Sequence, residues 1–389
     1  MFRRAIGHFD LDAFFASVEI LKNSSLRGKP LIIGGRGGRG VVSSCSYEAR
    51  RFGVRSAMPV KMALRLCPGS IVLRGDMEEY SRQSRLVTEI IQAHAPVFEK
   101  ASIDEFYLDL SGMDKYFGCW QWSRELRQRI VKETGLPISM GLSVNKTVSK
   151  IGTGEAKPAG EKLVAAGTEK AFMAPLSIRK IPGLGKQTFR KLSFMGVRDI
   201  RTLSQVPPKL LQREFGKQGL ALWKKSNGID NSPVVPHDEQ KSISTERTFQ
   251  TDTLDVGELK GQLTRMVTEL AFKLRRSQKL VSCVTIKIRY TDFNTYTRQK
   301  RIAYTANDGT LIHHSHLLFD QLFARRQLLR LIGVRFSGLV NGNYQIRLFE
   351  DTQAQINLLT AMDGIRNRFG KGAISRASTL NENENENKN

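Results

Sequence analysis

Cysteine is scarce in this chain of 389 residues: Cys45, Cys67, Cys119 and Cys283 are scattered, and no two form a Cys-x-x-Cys pair. Four so placed do not describe a disulfide framework, and a reducing cytoplasm fits them. Long apolar runs are missing too, as is any basic amphipathic helix with an exposed apolar face, so no membrane role is expected. The first residues lack the apolar stretch and cleavage site of a signal peptide, and the mature protein is expected to begin at or near Met1. Acid is the minority charge, with 37 Asp and Glu against 61 Lys and Arg, a net +24. The basic residues recur along the whole length, which makes a polyanion the natural partner, and nucleic acid the preferred one.

The few acids are placed tellingly. Asp10-Leu11-Asp12-Ala13-Phe14-Phe15-Ala16 follows the short apolar run Arg4–Phe9, and Ser102-Ile103-Asp104-Glu105 leads into the alternating Phe106-Tyr107-Leu108-Asp109-Leu110. Both patterns read as strands with acids at their ends. Any one of these Asp residues, taken alone, is a solvated turn residue. Together they put charge where burial is expected, which is costly without a cation. Three carboxylates converging there would suit two Mg2+ ions roughly 3.5–4 Å apart, the arrangement of phosphoryl or nucleotidyl transfer. Asp12, just before the helical run Ala13–Leu21, is expected to be a helix N-cap.

Pro30–Ile33 and Val41–Ser44 read as strands joined by the glycine-rich turn Gly34–Gly40. Gly35, Gly37 and Gly40 match Gly-x-Gly-x-x-Gly, but a strand rather than a helix follows, so a dinucleotide site is rejected. Helices are expected at Tyr47–Phe52, Lys61–Leu66 and Met77–His94, and another around Trp122, Leu126, Ile130 and Val131. Ile138, Met140 and Leu142 alternate on a further strand. Strands carrying acids, with helices stacked on one face, imply an α+β sheet domain. Phe172–Gly228 is helical in short pieces, and Pro182-Gly183-Leu184-Gly185-Lys186 resembles a helix-hairpin-helix, in which backbone N–H groups of Gly183 and Gly185 approach a DNA phosphate beside Lys186. Asp230–Gln240 reads as a linker. Beyond it, Leu259, Leu263, Met266, Leu270 and Leu274 make a helix stripe, and strands alternate apolar residues with Lys287, Arg289 and Arg335, basic groups free to meet a nucleic-acid backbone. His313-His314-Ser315-His316 falls at a helix start without neighbouring Cys and is not read as a metal site.

These segments resemble the Y-family translesion DNA polymerases, of the bacterial DNA polymerase IV type, over roughly residues 4 to 340. The resemblance rests on Asp10–Ala16, Ser46-Tyr47-Glu48-Ala49-Arg50, Gly53–Pro59, Ser102–Glu105, Ala156-Lys157-Pro158-Ala159-Gly160, Ile181–Lys186 and Lys241–Ser244. It implies an α+β multidomain right hand: a palm with a ferredoxin-like sheet (1–20 and 75–168), small fingers (21–74), a helical thumb with the helix-hairpin-helix (169–232), a linker (233–242) and a β-rich little finger (243–341). Asp10, Asp104 and Glu105, with the Leu11 carbonyl, would ligate two Mg2+; Tyr47, Arg50 and Lys157 would grip the dNTP triphosphate; Phe15 would be a steric gate against a ribose 2′-hydroxyl. Gln345-Ile346-Arg347-Leu348-Phe349 resembles the bacterial sliding-clamp motif, with Gln345, Leu348 and Phe349 as anchors. It opens a C-terminal segment (342–376) in which Ile356, Leu359, Ile365 and Phe369 are spaced for one helical face, and a disordered tail (377–389) follows.

Two departures stand out. Ser44-Cys45-Ser46 precedes Tyr47 where another small-residue run is usual, and Gly152-Thr153-Gly154-Glu155 precedes Lys157, where two glycines would each cost a helix about 1 kcal/mol. The expectation is a monomeric, error-prone polymerase acting on primed template DNA and assembled on the clamp. The alternatives are a DNA-binding scaffold of the same fold without chemistry, against which the intact acids and Lys157 argue, and a two-metal nucleotidyl cyclase, which the net charge and thumb motif do not suit.

Overall fold

The structure is a computed structural model that describes residues 2–35, 37–113, 118–236, 239–324, 327–342, 352–370 and 372–379. The clamp-like Gln345–Phe349 and the residues from 380 onward lie outside them. The chain divides into two compact units, Met1–Asp238 and Glu239–Asn389. No described helix is long and apolar enough to cross a membrane.

In the first unit, β1 (Ile6–Leu11) turns directly into α1 (Phe14–Lys22). A small sheet follows: β2 (Leu31–Gly34), β3 (Val42–Cys45), the short helices α2 (Tyr47–Arg51) and α3 (Val60–Leu66), and β4 (Ile71–Leu73), in the order β3-β2-β4. Its hairpin closes so tightly that a Cβ on Gly40 would stand 1.9 Å from the Gly35 carbonyl oxygen. Then come α4 (Met77–His94), β5 (Val97–Lys100), β6 (Glu105–Asp109), α5 (Cys119–Thr134), β7 (Ile138–Ser143), α6 (Lys146–Ala156) and β8 (Glu161–Leu163), which complete a sheet ordered β5-β6-β1-β7-β8.

The two faces of this sheet are covered differently. Phe9, Leu11, Phe106, Leu108, Ile138, Met140 and Leu142 pack with Val87 and Ile91 of α4 and Leu126 and Ile130 of α5. The helices were expected on one face only; α6 instead packs on the opposite face, the one that carries the acids, through β1 and β7. Five short helices follow, α7 (Glu169–Met173), α8 (Lys186–Phe194), α9 (Ile200–Gln205), α10 (Pro208–Phe215) and α11 (Lys217–Ser226), around a core that takes in Val148 and Ile151 of α6. The first half of the expected linker is tied down. Asp230 accepts hydrogen bonds from the Thr147 N–H and hydroxyl at the start of α6 (3.1 and 2.7 Å), its carbonyl accepts from Arg4 (2.9 Å), and Val234 is buried.

The second unit is a sheet ordered β11-β10-β12-β9, made of β9 (Ser242–Thr253), β10 (Lys279–Tyr290), β11 (Thr295–Thr305) and β12 (Leu329–Asn341), with α12 (Val256–Arg276) and α13 (Asp308–Leu322) on one face. The helix expected near Ile356 is present as α14 (Thr352–Phe369), but its docked side differs from the expected one. Leu359 and Arg366 are buried while Ile365 and Phe369 are exposed, because the helix is held by charge: Arg275 of α12 forms a two-pronged pair with Asp363 (2.6 and 2.8 Å). Ala377–Thr379, expected within a disordered tail, form a 3-10 turn whose Thr379 carbonyl accepts from Arg265 (3.0 Å).

Candidate active site

β1 and β6 pair in a register that sets Asp10 opposite Glu105. His8, two residues before Asp10, shares its face. The Leu11 N–H donates to the Asp104 carbonyl (3.0 Å), which fixes the corner where the tandem acids sit. His8, Asp10 and Glu105 offer ligand atoms within 4.8 Å of one another, the one such cluster among the described residues. Asp104 stands at the rim, half-buried, with its carboxylate accepting from the Ser102 hydroxyl (2.5 Å).

α6 supplies the opposing charge. It comes close because residue 141 is glycine: a Cβ there would stand 2.3 Å from the Ser149 carbonyl oxygen. Lys150 on α6 pairs with Glu105, and Lys157, just past its end, pairs with Asp10. Thr153, buried between them, has its hydroxyl 2.9 Å from His8 Nδ1 and 3.0 Å from both the His8 and Ser149 carbonyls. Having one proton to give to a carbonyl, the hydroxyl accepts from Nδ1–H, so His8 Nε2 carries the lone pair. That nitrogen is buried without a hydrogen-bond partner, 3.9 Å from Glu105. The two glycines flanking Thr153 do not loosen the helix, which runs unbroken from Lys146 to Ala156.

Burial pushes the Asp10 carboxyl up to about 7 against the pull of Lys157, while the charges of Glu105 and Asp104 add to the rise. Glu105 is held at about 2: the neutral His8 ring, its Nε2 lone pair 3.9 Å away, donates it no hydrogen bond, and the Lys150 ion pair is the hold. Burial lowers His8 to about 4, leaving it neutral at pH 7. Asp10 and Glu105 thus face two lysines, with Asp104 at the rim, and Asp10 is too buried to ionise easily. Such a donor set fits a divalent cation, and its oxygens suit a hard one such as Mg2+.

Across from the acids, Ser46 caps α2, accepting from the Ala49 N–H (3.4 Å) and from the Leu31 N–H (3.0 Å). Ser46 therefore fixes the helix that carries Tyr47 and Arg50. The Arg50 guanidinium lies 4.8 Å over the Tyr47 ring. Asp12 is not the N-cap it was expected to be. Ala13 occupies that position in the left-handed region (φ 44°) with no capping side chain, and the Asp12 carboxylate is turned inward, 1% exposed, where it accepts from the Tyr47 hydroxyl (3.0 Å). Burial and this carboxylate push the Tyr47 hydroxyl well above its usual value.

Comparison with known proteins decides what this arrangement belongs to. Residues 9–154 match the impB/mucB/samB family, residues 240–348 match that family's C-terminal domain, and residues 179–230 match the thumb domain of DNA polymerase-iota. The DNA polymerase IV of Dehalococcoides mccartyi strain CBDB1 is 36% identical over 381 residues, 97% of each chain. That of Listeria innocua serovar 6a is 38% identical over 339 residues, 86% of this chain and 95% of its own. The chain belongs to the Y-family DNA polymerases. A solved Y-family chimera of Dbh and Dpo4 matches with a TM-score of 0.79 at 26% identity, covering 87% of this chain and all of that one. The Y-family fold, with its α+β sheets, helical thumb and β-rich C-terminal little finger, is the fold of this chain.

In the thumb, Gly183, Gly185 and Lys186 are exposed at the start of α8, where Gly183 takes φ 88° and no side chain caps the helix. In the little finger, Lys287 and Arg289 share the face of β10 away from α12 and α13, and Arg335 is exposed on β12. Lys287 is paired with Glu246 (2.8 Å), and Arg289 donates to Thr295 (2.8 Å). Phe15 is half-buried and stacks on Tyr80.

Sequence reasoning missed His8, Lys150, Thr153 and Tyr80. His8 carried a signal, its period-two spacing from Asp10 on an apolar strand. Lys150 and Thr153 carried only helical spacing ahead of Lys157, and Tyr80 looked like any aromatic of α4.

Proposed function

We propose that this Y-family DNA polymerase adds deoxynucleotides to a primer 3′ end on a template strand, including opposite damaged bases, by two-metal nucleotidyl transfer. The observation that carries the reading is Asp10 facing Glu105 across paired strands, with Lys157 and Lys150 over them. Asp10, Asp104 and Glu105, with the Leu11 carbonyl, would hold two Mg2+, which when bound supply the charge that activates the primer hydroxyl and offsets the leaving pyrophosphate.

The chain's own side chains do the rest. Tyr47, Arg50 and Lys157 orient the triphosphate through charge-assisted donors. Phe15, with Tyr80 behind it, takes the space that a 2′-hydroxyl would need. Gly183 and Gly185 open the N–H groups of α8 to a DNA phosphate beside Lys186, and Lys287, Arg289 and Arg335 add sequence-independent charge toward the duplex backbone. Gln345, Leu348 and Phe349 have the form of a clamp-anchoring peptide, which would raise the concentration of a monomeric polymerase at primer ends in the bacterial cytoplasm. The palm, fingers, thumb and little finger take the boundaries given above.

The test is single-nucleotide extension of a primed template with Mg2+ and each dNTP or rNTP. Template-matched addition that vanishes in Asp104→Ala, and that admits rNTPs in Phe15→Ala, supports the reading. A wild type that binds primed DNA with the clamp present and adds nothing leaves the scaffold reading in its place.

A further inference from the structure

Asp12 joins three elements that the site needs in register. Its Oδ1 accepts from the Tyr47 hydroxyl on α2 (3.0 Å), and its Oδ2 accepts from the Ser139 hydroxyl on β7 (2.7 Å) and from the Ala159 N–H in the turn after α6 (2.8 Å). Lys157 Nζ lies 3.8 Å from Oδ1. The backbone of Asp12 is fixed as well: its N–H donates to the Pro137 carbonyl (2.9 Å), and its carbonyl accepts from the Ser17 hydroxyl (2.6 Å). Tyr47 and the turn that follows Lys157 are far apart in sequence and share no element. One buried carboxylate sets the distance between them.

The hydroxyl of Tyr47 has a single proton. While Asp12 holds it, the phenol oxygen can only accept, and phosphate oxygens offer it nothing to accept. A donor role toward a triphosphate therefore requires that proton to change partners.

We propose that Asp12 is the positioning residue of the nucleotide grip: it holds Tyr47 and the 157–160 turn in place before the nucleotide arrives, and yields the Tyr47 hydrogen bond to a triphosphate oxygen on binding. The proposal rests on Tyr47 contacting the triphosphate. No bond other than hydrogen bonds changes. A carboxylate that served only to stabilise the fold would leave nucleotide binding untouched in whatever protein folded, and that difference separates the two roles.

The experiment measures KM for a matched dNTP and kcat on saturating primed template, together with Tm, for wild type, Asp12→Ala, Asp12→Asn, Tyr47→Phe and Asp12→Ala/Tyr47→Phe. Asp12→Ala should raise KM about tenfold, with kcat within about threefold. Asp12→Asn should recover most of this, because its oxygen can still serve Ser139 and Ala159 while its amide meets the Tyr47 oxygen. The double variant should be no more than about twofold worse than Asp12→Ala, since both changes remove one coupled unit. Effects on KM that multiply, or a lowered Tm with wild-type KM, overturn the proposal. If Asp12→Ala does not fold, Asp12→Ser, whose side chain is too short to reach the Tyr47 oxygen, crossed with Tyr47→Phe gives the same cycle, with multiplying effects again overturning it. A Tyr47→Phe variant with wild-type KM instead overturns the triphosphate role of Tyr47 itself, and the proposal with it.

Discussion

The Phe15 ring lies flat against Tyr80, with centroids 4.3 Å apart and planes 11° from parallel. Tyr80 is wholly buried, and its hydroxyl donates to Glu19 (2.6 Å), one turn beyond Phe15 on α1. The proposed gate is thus a wall two rings thick, pinned at its back. Tyr80→Ala, with Phe15 intact, should lower the ratio of kcat/KM for dNTP over rNTP by about tenfold, because a displacement of about 1 Å is enough to misplace such a wall. Tyr80→Phe keeps both rings and should leave the ratio near wild type. An unchanged ratio in Tyr80→Ala would mean that Phe15 stands without support.

Gly141 and Gly154 should respond oppositely to alanine. At Gly141 the added Cβ meets α6 backbone, so Gly141→Ala should cost about 1–3 kcal/mol in urea unfolding and depress extension by shifting Lys150 and Lys157. At Gly154 nothing lies within 4 Å, and the helix gains from the better helix former. Gly154→Ala should stabilise by up to about 1 kcal/mol with activity kept. A stable, active Gly141→Ala would contradict the close approach of α6.

Arg275 is buried among Asp308 (2.5 Å) and Asp363 (2.6 Å), and Asp308 is fully inaccessible. Burial works against its charge, but the two carboxylates raise its affinity for the proton above the usual value. Arg275→Ala leaves the buried Asp308 with only Arg376, 3.7 Å away and not hydrogen-bonded to it, and should cost about 3 kcal/mol in the second unit. Denaturant unfolding followed by that unit's signal checks it; a loss below about 1 kcal/mol would show that the network carries little.

Burial pushes the Asp230 carboxyl up, but hydrogen bonds from Ser232 and Thr147 prevail and hold it below its usual value. A depressed carboxyl binds fewer protons folded than unfolded. Its contribution is whole above the ordinary aspartate value near pH 4 and fades as pH falls through the folded one. Asp230→Asn should therefore lower Tm more at pH 7 than at pH 3. Equal deficits at both would contradict this hold on α6.

Strand period and apolar runs were enough to place β1, β6 and β7, and with them the acids, because two-residue alternation ties side chain to face. Asp12 was misread for a definite reason: an acid before a helical run is most simply a cap, and the left-handed turn at Ala13 that swings it inward leaves no mark in an alanine. Lys150 and Thr153 went unread because helices were expected on one face of the sheet only, whereas α6 lies on the other. That face depends on Gly141, whose lack of a side chain looks the same in a loop. In α14, the apolar spacing of Ile365 and Phe369 suggested a buried side, whereas pairing with Arg275 through Asp363 decided it, and such a distant partner leaves no local pattern.

The most direct test of the metal-site reading is single-turnover incorporation from preformed enzyme–primer–template complexes with saturating dNTP and Mg2+, comparing wild type with Asp10→Asn and Glu105→Gln, with DNA affinity measured in parallel. Loss of most of the rate, about a thousandfold or more, at unchanged DNA affinity is the expected result. Incorporation within a few-fold of wild type in either variant would contradict it.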